Sequence, residues 1–232
     1  MREIVFDTET TGLDPRAGHR LVEIGCVEMV NGLPSGETFH VYLNPQRDMP
    51  DEAFQVHGLS SEFLSDKPLF AAIAEHFVAF VADARLVIHN AQFDMGFINA
   101  ELDRLGLPPL KNDVVDTITL ARRKFPGQRV SLDALCERMG VDNTRRTKHG
   151  ALLDAELLAD VYIELTGGRQ RGFDLMGAAA ETQTVVETTA VRLVVRPPRP
   201  HAASEAEIAA HVAFLAKLKQ PIWLLAAAEA AS

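Results

Sequence analysis

The chain is poor in cysteine, holding only two in 232 residues and no Cys-x-x-Cys. Cys26 stands in an apolar run and Cys136 in a helical stretch, so both read as reduced core thiols of a cytoplasmic protein. No apolar run approaches the roughly 18 residues that a membrane span needs. Met1 runs almost at once into the first strand, and on that reading no signal peptide precedes the domain. Basic charge is also scarce: 23 Lys and Arg face 32 Asp and Glu, a formal net charge of −9. This argues against broad non-specific affinity for nucleic acid. It does not exclude an enzyme whose acids hold metal ions against a substrate delivered by a partner. No internal repeat is visible.

What is present fits a globular protein, 47% hydrophobic and 24% charged, long enough for one well-cored domain plus an appendage. Three strands open it: Glu3 to Glu9, Leu21 to Val30 and Thr38 to Leu43. The connections Thr11-Gly12-Leu13-Asp14-Pro15 and Asn31-Gly32-Leu33-Pro34 are short and rich in turn residues, which suggests antiparallel pairing. Phe70, Ile73, Phe77 and Phe80 recur at helical spacing within Pro68 to Val81. A short strand from Arg85 to Asn90 then leads into a helix from Ala91 to Leu105. Asp113 to Asp116 is a further strand, followed by helices near 117–125, 131–139 and 151–166. Strands first and strand–helix alternation later give an α/β domain with a mixed sheet flanked by helices. Gly167-Gly168 closes it, so the first domain spans 1–168. Residues 176–203 read as a linker around Arg196-Pro197-Pro198-Arg199-Pro200. Ser204 to Lys219 reads as a helix with a Ser204/Glu207 capping box and one stripe of Ile208, Val212, Leu215 and Leu218.

Chemistry concentrates in a few acids. Asp7 and Glu9, two residues apart on the first strand, point to one face. Taken by themselves they are either a solvated strand end or a pair that needs a cation. Asp94 begins a helix and shares its face with Phe97, Ile98 and Leu105; Asp154 shares a face with Leu157, Leu158 and Val161. A carboxylate on an apolar stripe is costly unless it is paired or binds metal. For either acid alone, backbone donors or an arginine would serve; for all four, a shared metal site is the better reading. His149 lies about 140° around a regular helix from Asp154. It is therefore expected before the helix proper, in a loop where Gly150 allows an unusual turn. Arg145-Arg146-Thr147-Lys148 and Arg122-Arg123-Lys124 are phosphate contacts or solvated faces.

Three segments carry a specific resemblance: Asp7-Thr8-Glu9-Thr10-Thr11-Gly12-Leu13, His89-Asn90-Ala91-Gln92-Phe93-Asp94 and His149-Gly150-Ala151-Leu152-Leu153-Asp154. They are similar to the three exonuclease motifs of the DEDDh family. Val56-His57-Gly58-Leu59, Phe125-Pro126-Gly127 and 131–136 narrow the resemblance to its proofreading branch, which serves bacterial DNA polymerase III. The resemblance implies a ribonuclease H-like fold and 3′→5′ removal of nucleotides as 5′-monophosphates. By the same resemblance Asp7, Glu9, Asp94 and Asp154 hold two Mg²⁺ or Mn²⁺ ions, and His149 takes a proton from the attacking water. Leu13, His57, Asn90 and Phe93, with Asp7, Glu9 and Asp154, are then expected at the terminal nucleotides of a single-stranded 3′ end.

The resemblance also assigns partners. Gln170, Phe173 and Leu175 match a sliding-clamp-binding segment; the alternative is that the two apolar residues pack back on the domain. The tail from 204, with Ile208, Val212, Leu215 and the single Trp223, is expected to bind the catalytic (alpha) subunit of the polymerase, unless it folds onto its own domain. A small theta-like third subunit is compatible with the resemblance. Two other readings remain: a related RNA-trimming nuclease, and a scaffold subunit with no nuclease role.

Overall fold

The computed structural model describes residues 1–146, 148–168 and 202–218, in two units that divide at Ala178/Ala179. In the first unit β1 (Arg2–Thr10), β2 (Leu21–Val30) and β3 (Leu33–Tyr42) form an antiparallel meander. The short strands β4 (Arg85–Ile88) and β5 (Val114–Asp116) add to β1 in parallel, giving the order β3-β2-β1-β4-β5. Between the strands lie α1 (Asp51–His57), α2 (Ser61–Leu64), α3 (Phe70–Val81) and α4 (Ala91–Arg104). After β5 come α5 (Thr117–Lys124), α6 (Leu132–Met139) and α7 (Ala151–Leu165). This is the ribonuclease H-like mixed sheet with helices on both faces.

Strand parity sorts the two cores. Ile4, Phe6, Ile24, Cys26, Leu86 and Ile88 pack with Phe70 and Phe77 of α3 and Phe97 and Ile98 of α4. Val5, Val27, Met29 and Val87 pack with Leu135 and Cys136 of α6 and Leu158 and Val161 of α7. Both cysteines are free and buried. Burial pushes the Cys136 thiol up to about 11, which leaves it inert at neutral pH.

Several boundaries differ from the sequence reading. β3 begins at Leu33 rather than Thr38, because Asn31 and Gly32 both take positive φ, as a two-residue hairpin turn requires. The strand tolerates Pro34 because it lies at the sheet edge. α3 begins at Phe70 and β4 stops at Ile88, each two residues inside the expected span. Leu105 falls just past α4 and is 40% exposed; Glu101 and Leu102 take the buried positions instead. The helices α1 and α2 were not expected. Each is too short to show a helical period, and α1 buries only His57.

In the second unit α8 (Glu205–Leu215) starts at the expected capping box: the Glu207 carboxylate accepts from the Ser204 amide at 2.8 Å. It ends at Leu215, short of Lys219. Leu215 is buried, whereas Ile208 and Val212 are exposed and Leu218 lies past the helix end. Gln170, Phe173, Leu175, Trp223 and nearly all of the expected linker fall outside the described residues. No described helix is long and apolar enough to cross a membrane.

Candidate active site

The site is built at the end of β1 where the two faces meet. Val5 belongs to the core under α7, so Asp7 and Glu9 emerge on that face. Thr8 emerges on the other, with Ile4 and Phe6, and its hydroxyl donates to Asp94 Oδ1 at 2.7 Å. Asp94 is the fourth residue of α4, launched by Asn90 in the left-handed region at φ 72°. Asp154 is the fourth residue of α7. The start of α7 lies directly on β2 at Gly25, the residue paired with Asp7. A Cβ at Gly25 would stand 2.2–2.4 Å from backbone atoms of Ala151 and Leu152, so glycine is required for this approach. In this way all four acids reach one place. Glu9, Asp94 and Asp154 are buried, and Asp7 is partly so.

Their electrostatics are unbalanced. Burial, and then the charges of Asp94, Glu9 and Asp154, push the Asp7 carboxyl well up. Burial, followed by Asp154, Glu23 and Asp94, raises Glu9 to about 8. Burial also raises Asp94, against the Thr8 hydrogen bond. Asp154 alone goes the other way. Burial would raise it, but the hydrogen bonds and charge of Arg146 hold it below the usual carboxylate range. Arg146 forks onto both Asp154 oxygens at 2.6 and 2.7 Å and also reaches Asp133 at 2.8 Å. The Arg146 charge thus bears on Asp7, Glu9 and Asp154 together, which leaves the acids in excess, and this donor set fits divalent cations. Ligand atoms of Glu9, His149 and Asp154 lie within 4.8 Å of one another, as a metal centre requires.

His149 sits before α7, as expected, with Nδ1 3.3 Å from Asp154 Oδ2 and accepting from Arg146 Nη2 at 2.8 Å. Gly150 makes no unusual turn: its φ of −155° is extended backbone open to any residue. Beside the acids runs a cleft of about 520 Å³ lined by Glu9, Leu13, Val56, His57 and Phe93, among others. Leu13 is 84% exposed there. His57 Nδ1 accepts from the Leu59 amide at 3.1 Å, and its buried Nε2 meets no hydrogen-bond partner by distance and angle among the described residues. Burial lowers the ring's pKa, and because Nδ1 accepts, the ring proton lies on Nε2. Asn90 does not line this cleft; its backbone N–H donates to Asp116 Oδ1 at 3.2 Å. A larger cleft of about 730 Å³, between α3 and the segment after α4, contains none of the four acids. Chemistry rather than size selects the site.

Sequence reasoning missed Thr8, Gly25 and the role of Arg146. The basic run was visible, but nothing local says that its second arginine folds back onto Asp154. In the other basic cluster Lys124 is structural: its ammonium donates to the Glu164 and Leu165 carbonyls at the end of α7.

The comparisons agree with this geometry. The family model described as Exonuclease matches residues 4–162. The nuclease domain of 3′hExo, a DEDDh family member solved bound to rAMP, superposes with a TM-score of 0.62. That likeness covers 71% of this chain and 91% of that one at 18% identity, and speaks for the fold. Fold and acids together define a DEDDh-type exonuclease, a class that depends on divalent metal. Among curated proteins the chain is 48% identical to the DNA polymerase III subunit epsilon of Rickettsia felis, over 94% of this chain and 97% of that one. It is 46% identical to the same subunit of Escherichia coli K12, over 92% of each. The chain belongs to the exonuclease family, among the epsilon subunits of DNA polymerase III, the 3′→5′ proofreading exonucleases.

Proposed function

We propose that this chain removes mispaired 3′-terminal nucleotides from DNA by two-metal hydrolysis, releasing 5′-monophosphates, as the proofreading subunit of a replicative polymerase. The observation that carries the reading is the meeting of Glu9, His149 and Asp154, with Asp7 and Asp94 near enough for their charges to act on one another, beside a cleft that Glu9 lines. Asp7, Glu9, Asp94 and Asp154 would hold two Mg²⁺ or Mn²⁺ ions. Such ions supply Lewis acidity, which makes a water acidic enough to attack and offsets charge on the departing 3′ oxygen. His149 would accept the water's proton. Its Nδ1 lone pair is engaged by Arg146, so acceptance at that atom requires this contact to open.

Leu13, His57 and Phe93 line the cleft and would receive the terminal nucleotide, with the Nε2–H of His57 as a donor. Asn90 would act, if at all, from outside it. A mispaired end frays at lower cost and reaches such a cleft more often, so selectivity needs no reading of sequence. On this reading residues 1–168 are the exonuclease, 169–203 a clamp-binding segment and linker, and 204–232 a polymerase-binding tail. Gln170, Phe173 and Leu175 would engage the sliding clamp. Ile208, Val212, Leu215 and Trp223 would engage the alpha subunit, in the cytoplasm at the replisome; a theta-like subunit completes the proposed set.

Digestion of 5′-labelled single-stranded DNA with Mg²⁺ tests the activity. Wild type should give a ladder shrinking from the 3′ end, abolished by EDTA and by Asp7→Ala. His149→Ala should be slower by about 10²–10⁴-fold, the usual worth of a positioned base. Wild type that leaves DNA intact would sink the proposal, and faster digestion of RNA of the same sequence would reassign the substrate.

A further inference from the structure

His149 is the least secured of the five residues. Its side chain is 48% exposed, and it precedes α7 rather than belonging to it. Arg146 holds the ring from one side. On the other side the backbone is tied to α1, the helix that walls the nucleotide cleft with Ala53, Val56 and His57. The His149 amide donates to the Val56 carbonyl at 3.2 Å. The neighbouring Lys148 lies along Gly58, which caps α1 at φ 76° and has no side chain in the way. Its ammonium stands 5.2 Å from the centroid of the Phe54 ring, within cation–π range.

We propose that Lys148 is a positioning residue for His149: clasping Phe54 across Gly58, it holds the Val56–His149 hydrogen bond closed and so registers the imidazole against the cleft wall. The α1 helix then has two duties. One side of it meets the terminal nucleotide, and its end holds the segment that carries the base. A substrate seated in the cleft therefore bears on the element that sets the base's position. An exposed lysine beside an acidic site would ordinarily read as a phosphate contact, a reading that predicts a different kinetic effect. A phosphate contact changes KM, whereas a lost register changes kcat, because small misplacement of a reacting group is expensive.

This inference rests on His149 being the base, so His149→Ala is measured alongside. Lys148→Met keeps the stem and removes the charge; Phe54→Leu removes the ring; Lys148→Arg restores a cation that also pairs with aromatic faces. With the full chain, Mg²⁺ and a short single-stranded oligonucleotide, Lys148→Met and Phe54→Leu should each lower kcat about 10- to 100-fold with KM nearly unchanged. Lys148→Arg should retain most of the wild-type kcat. Amide hydrogen exchange at His149 should quicken in both weakened variants, with Tm within a few degrees of wild type.

A raised KM at unchanged kcat would make Lys148 a phosphate contact and overturn the proposal. So would wild-type kcat in Lys148→Met while His149→Ala is inactive. Full activity in His149→Ala would instead remove the underlying assignment of the base. If Phe54→Leu fails to fold, Lys148→Met and its exchange rate decide alone.

Discussion

Asp94 and Asp154 occupy the same local position and have opposite fates. Each is the fourth residue of its helix, each helix begins at an alanine, and neither N-cap side chain bonds the first turn. Both are almost fully buried, at 2% and 3% exposure. Yet Asp94 holds its proton above the usual range and Asp154 releases its own below it. Helix position is shared and burial raises both, so neither sets the opposite directions. The partner does: a neutral hydroxyl from Thr8 on one side, a forked guanidinium from Arg146 on the other. One site thus contains a carboxylate already neutralised from within and others that await a cation.

Removing the arginine attacks that contrast most strongly. In EDTA, Arg146→Met leaves Asp154 buried without its counter-ion and should cost about 3–5 kcal/mol in urea unfolding. Asp154→Asn in the same background should recover part of the loss. A change within experimental scatter would show that the fork is ornamental, and the comparison would collapse.

The two arms should also respond oppositely to pH in the metal-free protein. Asp7, Glu9 and Asp94 keep protons in the folded state that the unfolded chain gives up near the ordinary carboxylate pKa. Their contribution is present at low pH and is lost as pH rises towards about 8, the value for Glu9. Asp154, with its lowered pKa, contributes above the ordinary 3.8 and loses that contribution only as pH falls below it. Metal-free wild type should therefore show Tm declining from pH 5 to 8, with Mg²⁺ or Mn²⁺ restoring it most at pH 8. Asp94→Asn should flatten the decline and Asp154→Asn should not. A Tm that rises steadily over this range would contradict the assignment.

The smallest expected effect sharpens the Asp94 side. Thr8→Val removes one buried hydrogen bond and should cost about 1 kcal/mol. It also removes the bond that favours the charged Asp94, so the Mg²⁺ concentration for half-maximal nuclease activity should rise at pH 7. An unchanged metal requirement would mean that Thr8 only packs.

Much of this arrangement was legible beforehand. Alternation placed Asp7 and Glu9 on one face of β1, and helical phase placed Asp94 with Phe97 and Ile98, and Asp154 with Leu157, Leu158 and Val161. The angle of about 140° between His149 and Asp154 on a regular helix placed His149 ahead of its helix. Leu105 and the start of β3 were misplaced because strand and helix ends depend on turns and on what covers them. The helices α1 and α2 were invisible for a related reason: two turns or fewer carry no period, and α1 owes its place to the neighbours that bury His57.

The amino-acid sequence by itself determined which residues share a face, since the periods of 2 and 3.6 are properties of the local backbone. It also determined the acid set, and through its motifs the family. Only the tertiary structure decided that Gly25 admits the first turn of α7 beside Asp7, that Arg146 and not Arg145 turns inward to Asp154, and that Thr8 reaches across the sheet end to Asp94. These are meetings between segments far apart in the chain or joined by irregular loops. Their outcome depends on strand order and loop path, which no local pattern encodes.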